Sequence, residues 1–156
     1  MALLHMFASA ETTSRRVKAD AGVVAGETPG AVLGVMRRYS RNSAVQQWGA
    51  MTLWALARDN ARCKRATLGT KVPGGRGVAA EILANALKNH GGESEGVGKA
   101  LAGCVLAFAV NDVDWQRTWV EMGVPALVMR TMETHPGLTF KGEFDSLRDW
   151  LRAHSR

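Results

Sequence analysis

Residues 44–66, AVQQWGAMTLWALARDNARCKRA, lie over residues 96–118, GVGKALAGCVLAFAVNDVDWQRT, without a gap. Val45 falls on Val97, Ala50 on Ala102, Leu53 on Val105 and Leu56 on Phe108, an offset of 52 residues throughout. Ala55 and Ala57 fall on Ala107 and Ala109, Asp59-Asn60 on Asn111-Asp112, and Arg65 on Arg117. The match continues with small gaps: GVAAEILANALKNH (77–90) lies over GVPALVMRTMETH (123–135), and GAVLGVMRRYS (30–40) precedes both. Val32, Leu83 and Val128 correspond, as do Met36, Leu87 and Met132, then Tyr39, His90 and His135. Within each segment these positions keep the i, i+4, i+7 spacing of one helix face. Near the N-terminus, Leu3 and Met6 sit like Leu53 and Leu56, and Arg15 like Arg65. A chain that repeats about every fifty residues is narrowly constrained, because one such unit cannot bury its apolar face alone and must stack on its neighbours.

Each unit reads as a long helix, a polar loop, and a shorter helix that begins near a glycine. The pattern predicts helices near 30–40, 44–58, 78–90, 97–110, 123–134 and 143–154, with 2–20 largely helical as well. The last of these carries Phe144, Leu147, Trp150 and Leu151 on one stripe, the pattern of a helix closing the final unit, with Asp145 placed to cap its start. Leu53, Leu56, Val97, Val105 and Phe108 are expected in the core. At 156 residues, with 46% hydrophobic and 22% charged, the chain suits one domain, 1–156, with units at about 1–43, 44–95 and 96–140. Five tryptophans fit the roomy packing between several helices.

These residues resemble the armadillo repeat family, whose pattern has a V-Q start, small residues and leucines on the next helix, then a Gly-initiated apolar helix. Here that reads Val45-Gln46, Ala50, Leu53, Leu56, Ala57, then Gly77-Val78 to Leu87, and it recurs from Val97 to Met132. HEAT repeats share much of the pattern, so the resemblance is to armadillo-like repeats broadly, and it covers roughly residues 1–135. Two departures stand out: the loop LGTKVPGGRG (68–77) is longer than the family's, and the first unit lacks its own first helix. The resemblance implies an all-α fold, a right-handed α-solenoid of about three repeats with a C-terminal capping helix. It also implies a non-catalytic protein-binding or assembly module, free-standing or within a larger complex, that takes an extended segment along the groove lined by the long helices. In the family's nuclear-import receptors a Trp and an Asn recur one turn apart on each such helix. The Trp positions here hold Met51 and Gly103, and the Asn positions Ala55 and Ala107, so no binding of basic import signals is expected. The groove-facing positions would be Trp48, Met51, Thr52, Ala55 and Arg58 in one unit, with Gly103, Ala107 and Asn111 in the next. With Arg58 present and acids sparse, the ligand expected there is acidic or mixed apolar.

GGESEGVGKALAGCV (91–105) looks like a phosphate-binding loop but lacks its parts. Glu93 stands where the first glycine belongs, Ala100 follows Lys99 where a hydroxyl should, and helix rather than strand precedes it. The stretch is better explained as an inter-unit loop running into a long helix. KVPGGRG (71–77) reads as a connector broken by Pro and Gly rather than a phosphate nest. His90 and His135 read as helix-end imidazoles rather than metal ligands, since equivalent positions in stacked units lie about 10 Å apart. Trp115 and Trp119 read as covering a helix corner, as Cys63 and Thr67 do in the previous unit. No catalytic set and no cofactor motif stands out, so the chain is not read as an enzyme.

Charge is uneven: residues 1–78 hold 12 Lys/Arg against 4 Asp/Glu, and residues 79–156 hold 8 against 10. Arg37, Arg38 and Arg41 with Arg62 and Arg65 form the densest basic segment. Arg58 joins Arg62 and Arg65 in one helical stripe if that helix runs on. The alternative function is therefore a basic helical domain that binds nucleic acid or an anionic surface through its N-terminal half, with steep salt dependence. Ser40, after two arginines and a tyrosine, is a charge-suited phosphorylation point. No apolar run reaches the twenty or so residues of a membrane span. Cys63 and Cys104 have no disulfide or metal spacing and read as reduced thiols, which points to a cytoplasmic setting. MALLHMFASAETTSRRVKA also bears a mitochondrial-presequence character, against which stands its membership in the repeat.

Overall fold

A computed structural model describes residues 27–69 and 79–156, and every regular element among them is helical. The expected N-terminal helix (2–20) and nearly all of the 68–77 loop lie outside the described residues. Eight α-helices follow in order: α1 (Glu27–Arg38), α2 (Ser43–Ala57), α3 (Ala61–Leu68), α4 (Ala79–His90), α5 (Glu95–Ala109), α6 (Val113–Glu121), α7 (Val124–Thr134) and α8 (Arg148–His154). A 3-10 turn, Asp145–Leu147, leads into α8.

The repeat survives in backbone detail. Helices α2 and α5 are each 15 residues long, and their side-chain N-caps, Asn42 and Ser94, hold the same place. Both end in a sharp bend with one residue in the left-handed region, Asp59 at φ 54° and Asn111 at φ 55°. Asp and Asn are the residues other than glycine that tolerate this conformation most readily. Asn60 and Asp112 then cap a second helix by accepting from the amides of Cys63 and Trp115.

Those second helices, α3 and α6, correct the expectation of a polar loop at this point of each unit. They are short, 8 and 9 residues, and each is about half polar, so only one narrow stripe is apolar. The stripe is the corner-covering pair expected from the alignment: Cys63 and Thr67 on α3, Trp115 and Trp119 on α6, all buried. Both indole N–H groups are satisfied, Trp115 by the Lys64 carbonyl at 2.8 Å and Trp119 by the Val105 carbonyl at 2.9 Å.

Helices α2 and α5 pack side by side as the most extensive pair in the fold, and α5 is buried along almost its whole length. The expected core residues Leu53, Leu56, Val97, Val105 and Phe108 are all buried. Buried Gln46, of the V-Q pair, donates its side-chain amide to the carbonyls of Met36 (2.9 Å), at the end of α1, and Tyr39 (3.0 Å), which also accepts from the Asn42 amide. Gly98 of the phosphate-loop lookalike lies inside α5, where a Cβ would sit 2.6 Å from the Gly91 carbonyl oxygen. Close helix packing therefore accounts for that glycine. The final helix is shorter than expected: Asp145 pairs with Arg148 at 2.8 Å instead of capping it, while Phe144, Leu147 and Leu151 are buried.

Candidate docking groove

The α2 face named from the sequence is only partly covered. Met51 is exposed (56%), as is the Arg58 side chain (49%), and Ala55 is half-buried. Thr52 donates to the Trp48 carbonyl at 2.9 Å. Trp48 is half-buried, and its indole N–H is shielded from solvent with no acceptor. The matching α5 positions divide: Gly103 is buried under the Trp54 ring, whereas Ala107, though little exposed, lines the cleft beside Arg58. A Cβ on Gly103 would come within 2.2 Å of the Trp54 ring, so the indole lies directly against the α5 backbone there. Asn111 is exposed but has left the helix at the left-handed bend.

The Arg58 end of that face is occupied by the chain itself. Beyond α7, residues 138–144 form a strap whose Leu138 and Phe144 are buried. The Glu143 carboxylate accepts from Trp54 Nε1 (3.0 Å) and Arg58 Nε (3.0 Å) at one oxygen, and from Arg58 Nη2 (3.0 Å) at the other. This is the two-pronged arrangement a planar guanidinium offers a carboxylate. The Trp54 ring lies 6.0 Å from Phe140 and 5.8 Å from Phe144, while the Arg58 guanidinium stands 5.8 Å over that indole. Two consecutive left-handed residues, Lys141 (φ 51°) and Gly142 (φ 81°), turn the strap so that Glu143 reaches back to α2. Trp54 and the strap were missed by sequence reasoning because the partners lie 85 to 89 positions apart. Phe144 was read only as part of the C-terminal apolar stripe, and the signal that could have found the strap was a second aromatic, Phe140, four residues before it.

Two clefts share strap residues. One, about 550 Å³, is lined by Trp54, Arg58, Asp59, Lys64, Lys99, Ala107 and Val110 together with strap residues 139–141, 143 and 144. The other, about 480 Å³, reaches Met129, Met132 and Leu151. Lys64 is buried, and its ammonium donates to the Val110 carbonyl at 2.5 Å. Burial lowers its pKa, partly opposed by Asp112 and Asp59. Burial raises both free thiols, Cys63 and Cys104, above the ordinary cysteine range, which leaves little reactive thiolate at neutral pH.

The remaining candidates are dispersed. His90 bonds Glu93 (2.8 Å) and the Ser40 carbonyl (2.7 Å), and His135 bonds the Gly91 carbonyl (3.1 Å). Each imidazole thus ties its helix end to the chain just past the equivalent position of the preceding unit. Arg38, Arg41, Arg62 and Arg65 are exposed, whereas Arg37 is half-buried in a cleft with Glu81, Asn85 and Asn89. Arg58 does not extend the stripe of Arg62 and Arg65, because the backbone breaks at Asp59 and Glu143 holds its guanidinium. Among the described residues no three metal-ligating groups converge, and no helix is long and apolar enough to cross a membrane. No protein-family model, curated protein or solved structure matches this chain.

Proposed function

We propose that the chain is an armadillo-like α-solenoid segment and a non-catalytic protein-binding module, whose groove on α2 and α5 takes an extended acidic and aromatic segment of a partner. The observation that carries this reading is the strap. An acid flanked by aromatics, Phe140 to Phe144, lies in that groove with Glu143 held by Arg58 and Trp54. A groove that holds such a segment in cis has the chemistry to hold one in trans. The α2 face bearing Met51 and Trp48 lies beside it, so a longer partner segment gains apolar area there. Three-helix units α2–α4 and α5–α7, whose first two helices share an offset of 52 and whose third follows at 45, support the solenoid reading.

The test uses a labelled peptide of residues 137–147, titrated by fluorescence anisotropy into the full chain carrying Phe140→Ala and Glu143→Ala, which loosen the built-in strap. Saturable binding is expected, weakened about tenfold by Arg58→Ala, the scale of losing a central charged anchor. Circular dichroism should stay helical throughout. Absence of saturable binding, or binding indifferent to Arg58→Ala, sinks the groove assignment. The nucleic-acid reading keeps the support of exposed Arg38, Arg41, Arg62 and Arg65. It requires tight binding to duplex DNA or RNA at low salt, with a steep loss as salt rises.

A further inference from the structure

We propose that the cleft enclosed by α2, α5 and the strap binds a small organic anion, a carboxylate or phosphate carried on an apolar or aromatic body. This is independent of the peptide reading above. The cleft volume, about 550 Å³, falls within the range of small-molecule sites, roughly 300–1,000 Å³. Its lining is two-sided in chemistry. Trp54, Phe140 and Phe144 offer rings for an apolar body, while Lys64, Lys99 and Lys141 offer ammonium groups for a head group.

The charge balance of the lining decides the sign of the ligand. Of its two acids, Glu143 is already engaged by Arg58 and the Trp54 N–H, which leaves only Asp59. Among the described residues, no carboxylate stands at salt-bridge distance from Lys64, Lys99 or Lys141. Lys64 is the sharpest case. It is only 6% exposed, and its three N–H donors have one hydrogen-bond acceptor, the neutral Val110 carbonyl. The carboxylates of Asp59 and Asp112 offset its burial only in part and without direct contact, so an anion beside it would add compensation. Lys99 projects from α5, half-buried, and Lys141 belongs to the strap. A ligand bridging them would therefore also fasten the strap to the groove wall. The second cleft, near Met129 and Met132, shares Lys141 and adds Arg152, but its Arg148 is paired with Asp145 and it has no buried ammonium like that of Lys64.

The probes are phenylpropionate, phenyl phosphate and the uncharged phenylpropanol, each titrated calorimetrically into the full chain. Saturable one-to-one binding of at least one anion and none of the alcohol is expected, and the stronger of the two anions identifies the head group. Because Lys64 is buried and its replacement risks the fold, Lys99 carries the mutational test. Lys99→Gln should weaken the anion about tenfold and Lys99→Arg should largely retain it, in line with loss and retention of one charge-assisted contact. Three outcomes overturn the proposal: neither anion saturating, the alcohol binding equally well, or Lys99→Gln leaving affinity unchanged.

Discussion

A single missing side chain, that of Gly103, permits the Trp54 indole to lie against α5, and the indole in turn organises Phe140, Phe144 and Glu143. A methyl at this position overlaps the ring, so Gly103→Ala should destabilise by about 1–3 kcal/mol, the usual cost of overpacking. The control is Gly34→Ala in α1, where a Cβ meets nothing within 4 Å. There the better helix former should stabilise by about 0.5–1 kcal/mol. Urea denaturation of both variants checks the pair, and equal shifts of the same sign refute the account. Little of this could be read from the residues alone. Gly103 was visible only as a blank at a family Trp position, because the reason for the glycine stands on another helix. Trp115 and Trp119 were legible, since their counterparts Cys63 and Thr67 supplied the buried pattern at a fixed offset.

Element boundaries were legible wherever a helix carried a broad apolar face. Helices α2, α4, α5 and α7 begin and end within two residues of the periodicity reading. Helices α3 and α6 were read as loops because three buried residues on eight, one of them a lysine, and two on nine leave too weak an apolar period, and the preceding left-handed bend looks like loop sequence. Their caps were nevertheless present in the letters as Asn60 and Asp112, one offset apart. Because α3 and α6 are too short to persist on propensity alone, their caps matter more than most. Asn60→Ala and Asp112→Ala are each expected to cost about 1 kcal/mol by chemical denaturation. They should be nearly additive, since the two caps serve different helices. A cost near zero at either site would mean that packing of Cys63 or Trp115 alone sets the helix start.

For the molecule as a whole, the repeat was legible but its closure was not. Stacking of like units follows from the offset, whereas the return of the strap over α2 and α5 depends on contacts between residues remote in sequence. Of the expected groove positions, Arg58 and Ala107 line the cleft beside the strap, whereas Gly103 is covered by Trp54. The joint between units also has a consequence for engineering. His90 grips the Ser40 carbonyl and His135 the Gly91 carbonyl, so the joint reads main chain rather than side-chain identity. A coupling of that kind is indifferent to which module supplies the carbonyl, much as a standard pipe fitting accepts any length of pipe. Inserting a second copy of residues 43–94 directly after residue 94 should therefore extend the fold rather than disrupt it. The extended chain is expected to gain helical signal in proportion to its length. Its denaturant slope should rise with the added buried surface if both copies unfold together. Loss of cooperative unfolding in that chain would show that the histidine joint is specific to its present neighbours.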